Sequence, residues 1–275
     1  MRSRRKKRQR EEDAEVEIDA EVKTGEQVET GSGREGVQVE GDRRVPKINV
    51  VLDAPKPSPP VWYQLEPMDV AAAQRTRVYR RKGFLSEAAI QRIVQRIRSL
   101  DLQPYTNSAV DIVGNRAVHC TSYLHTRDAF ARHFPKLRSR VIALAAEANR
   151  EEQWGWDEIE KSVAVRCAEY HEMDVRGTLP EFKHYDLGSI VTVDIMLEPS
   201  PRGGCFQTLE ANGKLLTHEF RAGDALVFVA HKYHRVSPVK RGHRRVLVME
   251  LWNGIERTCG HRCERPWEDC DFSEP

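Results

Sequence analysis

Apolar residues in the middle of the chain recur at helical spacing, whereas toward the C-terminus they gather into short β-branched runs broken by glycine and proline. The first pattern predicts helices, because side chains three and four apart stack on one face. Ile90, Ile93, Val94 and Ile97 form such a face behind Gly83-Phe-Leu-Ser86, and Ser86 is placed to accept hydrogen bonds from the first amides of the helix. Pro135 suits the first turn of a second helix, where an amide N–H would lack a partner anyway. Leu137, Val141, Leu144 and Ala148 are its buried stripe. The second pattern predicts strands over Ser189–Leu197, Ala225–Val229 and Val246–Trp252, with turn chemistry from Pro199 to Gly204. Strands so closely spaced argue for an α+β, mainly β fold. Its core is expected to be a double-stranded β-helix, or jelly roll, with flanking N-terminal helices outside the major sheet.

Chemistry concentrates in the same stretch. His184 and Asp186 are two residues apart, so on an extended strand both side chains point to one side while Tyr185 faces away. With His234 brought alongside on a second strand, two imidazoles and a carboxylate would hold one face of a metal ion. The other face stays open for a bidentate organic acid and dioxygen. His231 competes with His234 as the distal ligand. Arg244 and Arg245 compete as the anchor for an acidic cosubstrate, and strand alternation lets only one of them enter the pocket.

From about Gly83 to Trp252 the chain resembles the iron(II)- and 2-oxoglutarate-dependent dioxygenases, within them the prolyl 4-hydroxylase-like branch. The resemblance is carried, in order, by His184-Tyr-Asp186, by Gly203-Gly204, by Ala222-Gly-Asp-Ala-Leu-Val-Phe228, and by the HxVxPVxxGxR run from His234 to Arg244. It implies metal ligands His184, Asp186 and His234, and spacing from Pro238-Val239 favours His234 over His231. It implies that Arg244 grips the distal carboxylate of 2-oxoglutarate, a task suited to its planar fork. The implied cofactors are Fe(2+), 2-oxoglutarate and dioxygen, with ascorbate as a reductant. The implied reaction is hydroxylation of a polypeptide or small-molecule substrate, a prolyl residue being the first candidate, with release of succinate and carbon dioxide. Asp186 favours hydroxylation over halogenation, since halogenating relatives have lost that carboxylate. Met196 stands where many prolyl hydroxylases have a cosubstrate-binding tyrosine, and Thr192 and Tyr170 are the candidates for the missing hydroxyl. The same residues also admit a catalytically silent metal-binding jelly roll acting through a partner, or an interaction protein recruited through its charged tail.

Composition sets the boundaries. The chain has 275 residues and a formal net charge of +2. A basic block through Arg10, an acidic one through Glu21 and a proline-rich run to Pro60 lack the apolar content for a core, so residues 1–60 are expected to be a disordered tail and linker. The basic block reads as a nuclear localisation signal, a nucleic-acid contact or a solvated end. Residues 61–255 are the expected dioxygenase domain, beginning at Val61-Trp62, and 256–275 a Cys/His-containing tail. No apolar run is long enough for a signal peptide or a membrane span, which makes cytoplasm or nucleus the expected location. Scattered Arg and Lys on a nearly neutral chain argue against nucleic acid. Arg176 to Phe182 and Leu100 to Thr126 are the expected substrate loops.

Cys120, Cys167 and Cys205 stand alone, as in a reducing compartment, and Cys205, following Gly203-Gly204 near the expected site mouth, is expected to be buried and inert, with a reactive thiol as the alternative. His119, Cys120, His125 and His133 show no ligand spacing and are expected to be surface or packing residues. Cys259, His261, Cys263 and Cys270 would satisfy a structural zinc ion. A disulfide or unpaired thiols are equally admissible.

Overall fold

A computed structural model describes residues 70–104, 106, 111–156, 159, 163–264 and 270. The expected disordered tail, linker and domain start at Val61-Trp62 lie outside them. The helices are α1 (Val70–Ala73), α2 (Glu87–Ser99), α3 (Ala129–His133) and α4 (Pro135–Glu152). In chain order the strands are β1 (Tyr79–Arg81), β2 (Ile112–Val113), β3 (Arg116–Ala117), β4 (His119–Tyr123), β5 (Ala164–Met173), β6 (Leu179–His184) and β7 (Val191–Glu198). They continue as β8 (Arg202–Gly203), β9 (Phe206–Leu209), β10 (Leu215–Thr217), β11 (Ala225–Val229), β12 (His234–Val236), β13 (Val239–Arg241) and β14 (Arg244–Trp252).

These strands build a jelly roll. One sheet has the order β1-β11-β7-β14-β5-β4 and the facing sheet the order β10-β9-β12-β6. From β5 onward the chain passes repeatedly from the first sheet to the second and back, so antiparallel neighbours come from distant sequence. No helix among the described residues is long and apolar enough to cross a membrane.

Alternation along each strand separates two environments. Val191, Val193, Ile195 and Leu197 of β7, with Leu247, Met249 and Leu251 of β14, face a core shared with the helices. There α2 contributes Ala89, Ile93 and Ile97, and α4 contributes Leu137, Val141, Leu144 and Ala148. The expected helix signals are in place: Ser86 accepts from the Ala89 N–H at 3.2 Å, and Pro135 opens α4. Burying one side chain of Ile93's size contributes about 1.5–3 kcal/mol. The opposite face of the same strands carries Thr192, Asp194, Arg244 and Glu250, all buried inside the barrel.

That polar lining explains why β5 escaped the sequence reading. Its inward residues include Cys167, Glu169 and His171, so neither β-branched enrichment nor apolar alternation marks it, although it pairs along its length with β14. Beyond β14 the chain has no regular element through residue 264, yet it lies against the barrel. Arg127 N–H donates to the Thr258 carbonyl at 2.8 Å, and Arg138 pairs with Glu256 at 2.7 Å.

Candidate metal centre and carboxylate pocket

Strands β6 and β12 pair so that His184 stands opposite His234. His184 is the last residue of β6, and Asp186 lies just past it, where its N–H donates to the Ala230 carbonyl at 2.9 Å. The pair therefore straddles a strand end instead of lying within a strand, because the chain here leaves one sheet for the other. The side chains still converge. His184 Nε2 is 3.4 Å and His234 Nε2 3.7 Å from Asp186 Oδ1, and one ligand atom from each residue falls within 4.8 Å of the others. Tyr185 turns away against His231 and Tyr233, with ring centroids 5.3 and 5.9 Å apart. That contact keeps His231 on the far side of the segment from His234.

The surroundings fix the protonation each side chain needs to bind a cation. His234 Nδ1 donates to the Lys232 carbonyl at 3.0 Å, since a carbonyl can only accept, and this leaves the Nε2 lone pair toward Asp186. Burial lowers the pKa of His234 against the pull of Asp186, which favours neutral imidazole. Burial alone would raise Asp186, but His234 and His184 outweigh it and hold the carboxyl well below its usual range. Thr192 donates its hydroxyl to Asp186 Oδ2 at 2.6 Å, which fixes the carboxylate and leaves Oδ1 facing the imidazoles.

The same cavity, of about 440 Å³, is lined by the triad, by Arg244, and by apolar walls including Phe206, Val246 and Val248. Arg244 opens β14 on its inward face and is 1% exposed, yet its Nε and Nη2 have no hydrogen-bond partner. Burial lowers its pKa to about 10, opposed by Asp194. Gly204 makes room for its stem: a Cβ there would stand 3.3 Å from Arg244 Cδ and 2.7 Å from Ser200 Oγ. Arg245 points outward and pairs with Glu172 at 2.8 Å and with Glu198. A buried cation with unused N–H groups is costly unless a ligand completes it, and a carboxylate has the matching shape and charge.

The structure does not bring Tyr170 to the cavity. It belongs to the core on the helix side of β5, and its hydroxyl donates to Glu172 at 3.0 Å. Thr192 supplies its hydroxyl to Asp186 and does not line the cavity. The inward position two before Met196 is Asp194, which lines the cavity and whose pKa burial raises to about 8. Two further expectations are corrected. Cys205 is exposed: it stands one residue before β9, its carbonyl accepting from the Ser237 N–H at 2.9 Å. His119 lines the cavity from β4, an element the sequence reading missed, and burial drives its pKa down to about 3.

A chain of polar groups leads away from His119. Its Nδ1 is 3.2 Å from Asp111 and its Nε2 2.9 Å from His171 Nδ1, while His171 Nε2 lies 2.8 Å from Glu169. Glu169 accepts two hydrogen bonds of 2.7 Å from Arg262, which reaches in from beyond β14. Glu250 pairs with Arg166 at 2.7 Å and with Arg262 at 3.1 Å. Cys167, Glu169 and Glu250 also cluster at ligand distance, but those guanidinium groups already occupy the carboxylates. The i, i+2 spacing of Glu169 and His171 was the available signal for this group, being the same-face spacing of His184 and Asp186.

No family model matches the chain, and no curated protein matches it. Solved structures do. A prolyl-4-hydroxylase from Pseudomonas putida is 17% identical, with a TM-score of 0.48 over 67% of this chain and 99% of that one. A prolyl hydroxylase from Trichoplax adhaerens, in complex with a hypoxia inducible factor peptide fragment, is 15% identical, with a TM-score of 0.49 over 66% and 86%. A non-heme alpha-ketoglutarate-dependent epimerase from nogalamycin biosynthesis is 16% identical, with a TM-score of 0.49 over 67% and 81%.

Proposed function

We propose that this chain is an iron(II)- and 2-oxoglutarate-dependent dioxygenase that hydroxylates its substrate and releases succinate and carbon dioxide. One observation carries the reading: a buried arginine with two unused N–H groups shares a cavity with two imidazoles and a carboxylate. His184, Asp186 and His234 would hold the iron, a donor set of intermediate and hard ligands that leaves coordination positions open. Arg244 would anchor the distal carboxylate of 2-oxoglutarate through its planar fork. When bound, iron(II) with the 2-oxo acid supplies dioxygen activation coupled to decarboxylation.

The chain's own residues supply orientation and shielding. Thr192 and the Lys232 carbonyl set the direction of Asp186 and His234. Phe206, Val246 and Val248 exclude water beside Arg244, which strengthens its pull on an anion. Thr178, Leu179 and Pro180 line the cavity from the stretch expected to meet substrate, and a prolyl residue of a polypeptide is the first substrate to try. The test is succinate formation from 2-oxoglutarate, uncoupled and then with proline-containing peptides. Turnover in the wild type that Asp186→Ala abolishes supports the reading. Iron binding with no cosubstrate turnover under any condition rejects it in favour of a silent metal-binding module.

A further inference from the structure

Outside the barrel, Cys259, His261, Cys263 and Cys270 bring three sulfurs and an imidazole nitrogen within 4.8 Å of one another. None of the six cysteines is in a disulfide. Cys270 Sγ lies 3.4 Å from His261 Nε2, close to the ~3.6 Å that separates a thiolate and an imidazole on one tetrahedral zinc ion. Cys259 and Cys263 are buried, His261 and Cys270 partly so. Both ligands that flank Arg262 are tied to the barrel through their backbones. The His261 carbonyl accepts from His125 Nε2 at 3.1 Å, while Ala168 N–H donates to His125 Nδ1 at 3.1 Å, so one neutral imidazole bridges β5 to the cluster. The Cys263 carbonyl accepts from Arg166 Nε at 2.7 Å.

We propose that Cys259, His261, Cys263 and Cys270 hold a structural zinc ion, and that this ion mounts Arg262 at the base of the barrel. Three thiolates and one imidazole complete a tetrahedron with no open position, the arrangement of structural rather than catalytic zinc. Thiolate softness also separates this site from the imidazole-carboxylate triad, so the two select different metals. The need for a mount is visible in the fold. Arg262 sits in a segment without helix or strand, yet it must neutralise Glu169 and Glu250, both 0% exposed, and it stands 4.0 Å from Asp186. Ligands on both sides of Arg262 turn an irregular loop into a fixed support, because the free energy of metal binding becomes folding free energy of the loop. His125, expected to be a packing residue, is the strut between that support and β5. The proposal stands apart from the oxygenase reading, since it concerns different ligands and a different metal.

The test uses the full chain, prepared anaerobically, as wild type and as Asp186→Ala to remove the triad's own binding. Elemental analysis is expected to give one zinc per chain in both. Replacement by cobalt(II) is expected to give the intense thiolate-to-cobalt charge-transfer band of a tetrahedral sulfur site, which a triad without sulfur cannot produce. Cys270→Ser is expected to weaken that band, and zinc removal to speed amide hydrogen exchange over residues 257–264 while β11 stays protected. A zinc-free preparation with six alkylatable thiols, or one with a disulfide among these cysteines, would overturn the site. Bound zinc whose removal leaves exchange over 257–264 unchanged would overturn the mounting role.

Discussion

Strands β5 and β14 carry buried arginine chemistry at both ends, and the two ends are built differently. At one end Arg166, 3% exposed, donates to the carbonyls of Cys263 and Leu187 and pairs with Glu250. At the other, Arg244 is as deeply buried and has two guanidinium nitrogens, Nε and Nη2, with no protein acceptor. Burying a cation costs several kcal/mol unless it is paired. The fold meets that cost at Arg166 with its own groups and leaves Arg244 for something outside the chain. A satisfied buried charge thus marks structure, and an unsatisfied one beside ligand-type side chains marks a binding site. Substituting the two arginines is expected to separate stability from binding.

The largest expected effect is on stability. Arg166→Met leaves Glu250 without its nearest cation, 2.7 Å away, and is expected to cost about 3–5 kcal/mol in urea unfolding. Burial, then Asp186, raises the Glu250 pKa to about 7 against the pull of Arg166; without that cation it rises further, so the loss should shrink as pH falls toward 7 from above, where the variant's Glu250 is protonated first and no longer needs a cation. Arg244→Met should do the reverse. Stability is expected to hold or rise as the unpaired cation disappears, while 2-oxoglutarate affinity, measured by calorimetry with manganese(II) in the triad, falls on the order of 100-fold. If Arg244→Met unfolds the protein as badly as Arg166→Met, the comparison fails.

Smaller effects sharpen it. Thr192→Val keeps the shape but removes the donor to Asp186 Oδ2, and triad metal affinity is expected to fall about 10- to 100-fold with little change in fold. Asp194 gives a pH effect. Its folded pKa, about 8, lies above its unfolded value, so the folded chain binds the extra proton between the two values and loses stability as pH rises through that window. Asp194→Asn removes that slope, and the variant's advantage in Tm over wild type should grow from about pH 5 to about pH 8. A constant difference would mean that Asp194 titrates normally.

How much could be read beforehand followed from where side chains point. Both long helices and β11 were legible because one or both faces are apolar, and the extent of β11, Ala225–Val229, coincides with the expected run. The opposition of Arg244 and Arg245 followed from strand alternation, as did the rotation of Tyr185 away from its neighbours. The barrel's inner surface was hidden for the same reason. A strand with Glu169 and His171 on its inward face resembles a solvated surface until its partners are known, and those partners, Arg262 and His119, come from distant segments. Arg262 lies in a stretch with no periodicity at all, which is why the tail looked separate from the barrel.

The central claim is that Arg244 and the triad form one ligand site. Anaerobic titration with iron(II), with and without 2-oxoglutarate, tests it by following the weak visible charge-transfer band of a chelated 2-oxo acid in wild type and Arg244→Met. The account predicts a band in the wild type that needs both components, and a half-saturating cosubstrate concentration on the order of 100-fold higher in the variant. Iron binding without a band, or superimposable curves for the two proteins, would contradict it.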